Sequence, residues 1–130
     1  MPASLRHEAF NVFRLDIHGL LLKSELDACQ QRLVGEFARV GAVKLIVFLD
    51  DFEGWQRGAA WNDLSFYAKY GNSIERIAIV GEERWRHVAM MFASADLRRA
   101  PVEFFREQNE AAARAWLSSD GPTPGERIYR

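Results

Sequence analysis

Alternating apolar and polar residues predict a strand near the start of the chain. Residues 10–18 alternate, and Phe13, Leu15 and Ile17 lie on one face. The other face carries Arg14, Asp16 and His18. This period of two is typical of a half-exposed strand close to a sheet edge. Gly19 permits a turn after it, and residues 20–22 are predicted to form a short partner strand. The pattern therefore predicts a strand pair at the edge of a sheet.

The next segment has helical periodicity, with apolar residues three and four positions apart. Ser24 and Asp27 have the spacing of a capping box, which predicts the start of a helix. Gly41 follows the last apolar position and predicts its end. The apolar stripe of this helix consists of Leu26, Cys29, Leu33, Phe37 and Val40.

Short apolar runs alternate with further helical patterns along the rest of the chain. Runs of this kind, rich in β-branched residues, are typical of strands buried on both faces. They occupy residues 43–49, 77–80 and 102–105. Helices are predicted over residues 55–70, 85–92 and 107–117, and the last of these is predicted to pack through Ala112 and Trp116.

The element order is therefore β(β)αβαβαβα, which predicts an α/β sandwich with a mixed sheet of four or five strands. Strands that alternate with helices pair in parallel through right-handed crossovers. The 130 residues suffice for a single domain. We assign it to residues 10–117, between an N-terminal extension (1–9) and a flexible C-terminal tail (118–130) that is rich in turn formers.

Charge and composition exclude several classes of protein. Lys and Arg total 17 against 18 Asp and Glu, for a net charge of −1, so a basic nucleic-acid-binding domain is not predicted. The basic residues Arg84, Arg86, His87 and Arg98–Arg99 are interpreted as a solvated face. The single cysteine predicts a reducing, cytoplasmic location. No apolar run reaches the length of a membrane span.

The chain carries no recognisable catalytic motif. Its histidines, at positions 7, 18 and 87, lie far apart, and none has a second His or a Cys at ligand spacing, so no metal site is predicted. It has neither a nucleophile elbow nor a glycine-rich phosphate loop. Cys29 belongs to an apolar stripe and is interpreted as a core residue. We therefore predict no catalytic residues, no cofactor and no enzymatic activity.

Two features near the middle of the chain are candidates for a binding site. Asp50, Asp51, Phe52 and Glu53 follow a buried strand, and sites in open α/β sheets gather at the carboxyl ends of strands. The three acids of this segment could bind a cation, act as acid and base, or bind a basic partner. Alternatively, they cap the following helix. That helix carries a second apolar stripe, which its own domain, a ligand or another chain would bury. Its members are Trp55, Ala59, Phe66 and Tyr70.

Several segments, in this order, resemble the SpoIIAA-like family over residues 10–117. They are LDDFEGW (49–55), AWNDL (60–64), RIAIVG (76–81) followed by Trp85, VEFF (102–105) and AWL (115–117). The resemblance implies the STAS-type fold of the anti-sigma-factor antagonists, loosely similar to Sec14-type lipid-binding domains. Most members of this group have no established activity.

The resemblance also exposes a departure from those antagonists. In them, a serine followed by glycine begins the helix after the central strand and is phosphorylated by a partner kinase. Here Glu53 precedes Gly54 at the matching position, and residues 50–53 contain no hydroxyl. A carboxylate carries about one negative charge, against roughly one and a half to two for a phosphoserine. The loop therefore resembles a permanently and weakly charged state.

Two functions follow as expectations. The first is a non-enzymatic interaction or regulatory module that docks a protein partner, or a second copy of the chain as a homodimer, through the loop and the following helix. The alternative is a carrier or sensor of a small apolar, lipid-like ligand held between the sheet and the aromatic helices. A cavity lined by Phe, Trp and Met would favour the carrier, whereas a flat apolar patch over a closed core would favour the module.

Overall fold

A computed structural model describes residues 3–57, 73–92 and 101–119 of the chain. This part of the chain contains five strands and three helices. In chain order they are β1 (Ala3–Ala9), β2 (Val12–His18), α1 (Lys23–Val40), β3 (Val43–Asp50), β4 (Ile74–Gly81), α2 (Arg86–Phe92), β5 (Val102–Arg106) and α3 (Glu110–Ser118).

The strands form one mixed sheet in the order β1-β2-β3-β4-β5. The β1–β2 pair is antiparallel, and every other neighbouring pair is parallel. This confirms the predicted α/β fold and its mixed sheet. Because β2 to β5 are parallel, their carboxyl ends lie at the same edge of the sheet.

The antiparallel partner of β2 precedes it rather than follows it, so the predicted strand at residues 20–22 is wrong. Residues 3–9 belong to the predicted N-terminal extension, but they form the edge strand β1. This strand pairs with β2 from Ala3–Ile17 to Ala9–Val12. Only Ala3 and Leu5 of β1 are buried. The run of polar residues after Leu5 breaks the alternating pattern, so this pattern did not predict the strand.

Helix α1 has the predicted end but not the predicted start. Gly41 has a φ of +79°, and its N–H donates to the Phe37 carbonyl at 2.9 Å. At the other end Leu22 occupies the N-cap position without a side-chain hydrogen bond, so the capping box is wrong. Instead, the Lys23 N–H donates to Oε1 of Gln56 at 3.1 Å. A residue distant in sequence has replaced the local cap.

The two faces of the sheet bury separate clusters because successive side chains of a strand point to opposite sides. The first face packs against α1 and α2, with Leu33 as the buried residue of α1 and the rest of the predicted stripe packed against the same cluster. The second face packs against α3. Helix α3 buries Ala113 rather than the predicted Ala112, which is exposed. The helix begins at Glu110, after a 3-10 turn at residues 107–109, and its buried face consists of Ala113, Leu117 and Trp116, the last as predicted.

Charged side chains cover the part of the second face nearest β1. The Arg14 guanidinium lies 4.0 Å from the centre of the Phe48 ring and donates to Asp16 at 2.9 Å. Arg114 of α3 reaches Glu8 of β1 at 2.8 Å. These contacts join the edge strand to a helix that is distant in sequence.

Candidate functional site

The acidic loop, residues 50–53, lies at the carboxyl ends of β2 and β3, where backbone hydrogen bonds to Gly19 hold it in place. The Gly19 N–H faces the carbonyls of Asp50 and Asp51, at 3.4 and 3.2 Å, and the Glu53 N–H donates to the Gly19 carbonyl at 2.9 Å. Gly19 has a φ of +66° and Asp51 a φ of +49°. Aspartate is one of the few residues that tolerate this left-handed conformation.

The segments that follow β2 and β3 pair again just beyond the loop. Leu21 and Trp55 form a parallel bridge, with the Leu21 N–H donating to the Gly54 carbonyl and the Gln56 N–H to the Leu21 carbonyl, both at 2.9 Å. Trp55 is therefore not helical, which corrects its place in the predicted second stripe. Ala59, Phe66 and Tyr70, the other members of that stripe, lie outside the described residues.

The four predicted site residues in the loop divide into one core residue and three surface acids. Phe52 points inward and is only 4% exposed, and its ring meets that of Trp85 edge-on at 4.8 Å. Asp50, Asp51 and Glu53 are exposed. Residues 58–70 of the helix that these acids were predicted to cap lie outside the described residues, so the capping role stays a prediction.

The fold brings His18 to these acids. His18 and Asp50 are register partners at the ends of β2 and β3, and Nδ1 of His18 lies 3.3 Å from Oδ2 of Asp50. One ligand atom from each of His18, Asp50 and Asp51 lies within 4.8 Å of the other two. The sequence analysis missed this cluster because His18 lies 32 residues from Asp50 along the chain. The signal that could have revealed it is that polar residues end two adjacent parallel strands.

A cavity of about 110 Å³ lies between α1 and the first face of the sheet. Its described lining is almost entirely apolar and includes Leu15, Leu33, Val47, Phe52, Trp55 and Ile77. The polar contributions are the Cys29 thiol and the Gln30 side chain, both from α1. Phe52 of the acidic loop and Trp55 just after it both line the cavity, so this segment borders both features.

Cys29 has the properties of a core residue. Its side chain is half-buried, and burial, assisted by the negative charge of Glu25, raises the pKa of its thiol. A raised pKa lowers the fraction of reactive thiolate. The chemistry of this cysteine therefore agrees with its interpretation as a core residue.

The basic residues after β4 are joined to neighbouring acids. Arg84 forms an ion pair with Glu82 at 3.3 Å. Glu83 forms ion pairs with Arg86 at 2.6 Å and with Arg106 at 2.7 Å. Hydrogen bonds from Arg86 and then Arg106 lower the pKa of Glu83 to about 2. Ion pairs thus offset the positive charges of Arg84 and Arg86, whereas Arg98 and Arg99 lie outside the described residues.

Comparison with known proteins identifies the fold and the family. The family model described as SpoIIAA-like matches residues 12–118. An uncharacterized protein with a SpoIIAA-like fold from Shewanella loihica superposes with a TM-score of 0.61, at 22% identity, covering 88% of this chain and 91% of that one. No curated protein matches the chain. Among the described residues, no helix has both the length and the apolarity needed to cross a membrane.

Proposed function

This chain belongs to the SpoIIAA-like family, and from its cavity we propose that it is a non-catalytic binding protein for a small apolar, lipid-like molecule. Of the two functions expected from the sequence, this is the alternative rather than the first. The observation that carries it is the cavity of about 110 Å³ between α1 and the sheet.

The size and lining of the cavity support this choice. Protein interiors are close-packed and rarely contain voids much larger than a water molecule. A void of about 10–15 Å³ is enough to hold one water molecule. The cavity of about 110 Å³ therefore has room for a larger occupant. Water needs several polar partners, whereas an apolar cavity is suited to an apolar guest. The lining thus selects against a charged ligand.

The test is to look for a bound molecule and then to block the cavity. Protein purified under non-denaturing conditions is extracted with solvent and analysed by mass spectrometry for organic molecules present in stoichiometric amount. In parallel, the neutral fluorescent probe N-phenyl-1-naphthylamine is titrated into delipidated protein. We expect saturable binding with a change in tryptophan emission, because Trp55 lines the cavity.

A pair of variants on one helix sharpens this test. Cys29→Phe fills part of the cavity, whereas Ala28→Phe adds the same ring to the exposed neighbouring position. Probe binding should be lost in the first variant and kept in the second, with both remaining folded by circular dichroism. Equal binding by both variants, or none by the parent protein, would contradict the proposed function.

The acidic loop supports a second candidate function, a regulatory docking module. Asp50, Asp51 and Glu53 are exposed on a segment held by backbone hydrogen bonds, which suits a basic surface on a partner protein or on a second copy of the chain. Without a serine at this position, such docking would be constitutive rather than controlled by a kinase. Analytical ultracentrifugation across a concentration series separates the two partners, since only self-association makes the mass depend on concentration.

A further inference from the structure

We propose that His18, Asp50 and Asp51 form a binding site for a divalent first-row transition-metal ion. This site lies at the exposed carboxyl edge of β2 and β3 and is independent of an apolar ligand in the cavity. The sequence raised cation binding as one option for the acids alone, and the fold adds the imidazole of His18 from the neighbouring strand.

The distances fit a single ion. The ligand atoms of the three residues lie within 4.8 Å of one another, and Nδ1 of His18 is 3.3 Å from Oδ2 of Asp50. Nitrogen and oxygen ligands bind such ions at about 2.0–2.2 Å, which places neighbouring ligands of one ion roughly 3–3.5 Å apart. The His18–Asp50 pair already has this spacing, and rotation of the exposed Asp51 side chain can bring its oxygen closer.

The backbone around the three side chains is held in position. His18 and Asp50 are register partners of adjacent parallel strands. The Gly19 N–H faces the carbonyls of both aspartates, and Asp51 is held with a φ of +49°. Only the side chains have to adjust when an ion binds, which limits the entropic cost of forming the site.

The local charge favours a cation. Among the described residues, no Lys or Arg forms an ion pair with Asp50, Asp51 or Glu53; His18 is the basic group paired with Asp50. Glu53 adds a third carboxylate nearby, since its Oε2 would lie 3.4 Å from a Cβ placed on Gly19. By contrast, Glu82 and Glu83 at the end of β4 are paired with arginines. The negative charge at the ends of β2 and β3 is therefore available to an ion.

The ligand types define the class of ion. Imidazole nitrogen suits Zn²⁺, Ni²⁺ and similar ions, whereas sites for Mg²⁺ and Ca²⁺ are built from oxygen. One imidazole and two carboxylates would leave further positions to water, since all three residues are exposed. We therefore expect Zn²⁺ to bind more tightly than Mg²⁺.

The experiment titrates metal alone into the full-length protein, freed of any affinity tag and treated with chelator. Zn²⁺ binding is followed by isothermal titration calorimetry, and Co²⁺ by its visible absorption. We expect one saturable site, with the affinity lowered at least about tenfold in His18→Gln and in Asp51→Asn, because even outer-shell changes cost 10–100-fold. His87→Gln, which removes an exposed histidine outside the cluster, should bind as the parent protein does.

Three results would overturn the proposal: no saturable binding of Zn²⁺ or Co²⁺, equal affinity in His18→Gln and the parent protein, or an equal loss in His87→Gln. Binding of Mg²⁺ as tight as that of Zn²⁺ would overturn the role of the imidazole. Metal-free unfolding curves establish that each variant is folded, and Asp50→Asn replaces any variant that is not. A failed cavity titration leaves this result unaffected, because the two sites use different residues and different probes.

Discussion

The two faces of the sheet use the same strands, yet one borders a cavity, whereas the other, which we call the closed face, packs tightly against its helix. Next to α3, Ile46, Ala78 and Ala113 have no exposed surface, and alanines at both sides of the contact let the helix approach the sheet closely. Next to α1, side chains such as Leu15, Leu33 and Val47 leave the cavity between them. The cavity next to α1 is the feature with room for a ligand.

The faces also differ in how their helices are attached. Arg114 joins α3 to Glu8, and the buried Arg76 donates to the Trp116 carbonyl at 2.8 Å while its guanidinium lies 4.9 Å from the indole ring. Helix α1 relies on its apolar stripe and on Arg32, which donates to the Leu5 carbonyl at 2.6 Å. The side chains of α3 and of the sheet thus make directional contacts through Arg76 and Arg114, and α1 contributes one through Arg32. Under the proposed function, the α3 face acts as the scaffold and the α1 face holds the ligand.

The largest expected effect comes from opening the closed face. Trp116→Ala removes a buried ring that packs against Phe105 at 5.9 Å between centroids, and we expect the free energy of unfolding to fall by about 3–5 kcal/mol. Urea unfolding followed by circular dichroism measures it. Phe10→Ala is the control, since Phe10 is 78% exposed; a comparable loss there would refute the distinction.

A smaller effect is expected from overfilling the closed face. Ala113→Leu adds volume where no space is left, and we expect a loss of about 1–3 kcal/mol. Ala112→Leu adds the same atoms one position earlier, on the exposed side of α3. Its unfolding midpoint in urea should stay close to that of the parent protein. Tolerance of leucine at position 113 would mean that this face is not closed.

Enlarging a side chain on the cavity side should change the free energy of unfolding less than enlarging one on the closed face. Cys29→Leu points additional methyl groups toward the cavity, so we expect a change in the free energy of unfolding below about 1.5 kcal/mol in either direction, as for tolerated core substitutions. A loss as large as that of Ala113→Leu in the same urea series would show that the cavity cannot accept additional atoms.

The smallest effect concerns the ion pair that joins α3 to β1. The hydrogen bond from Arg114 is the main cause that lowers the pKa of Glu8 below its usual value. A lowered folded-state pKa stabilises the protein above the unfolded-state value, and this stability is lost as the pH falls through the folded-state value. Glu8→Gln should therefore cost less than about 1 kcal/mol at neutral pH, and the difference from the parent protein should vanish in strong acid. A pH-independent difference between their urea unfolding curves would contradict this cause.

The fold was largely predictable from the sequence, apart from elements with weak local signals. The runs at 43–49 and 77–80 identified β3 and β4 because strands buried on both faces must be apolar throughout. Strand β1 was missed because an edge strand buries few side chains, here Ala3 and Leu5. The start of α1 was misplaced because Gln56, a residue distant in sequence, provides the contact at that end.

The candidate site was only partly predictable. The acidic loop was found because polar residues after a buried strand interrupt the apolar pattern, and its position at the carboxyl edge followed from parallel pairing. The orientation of Phe52 into the core and the bridge between Trp55 and Leu21 were not found. Both depend on a left-handed turn at Asp51, a residue type that adopts this conformation only in some contexts.

The sequence by itself determined strands β2 to β5 and the three described helices to within a few residues, because the period of apolar residues reports how many faces of a segment are buried. It also determined that no hydroxyl is present at residues 50–53. Only the tertiary structure decided that His18 meets Asp50 and that α1 leaves a cavity over the sheet. Strand register and the fit between facing side chains control these two features, and both are relations between segments far apart in the chain.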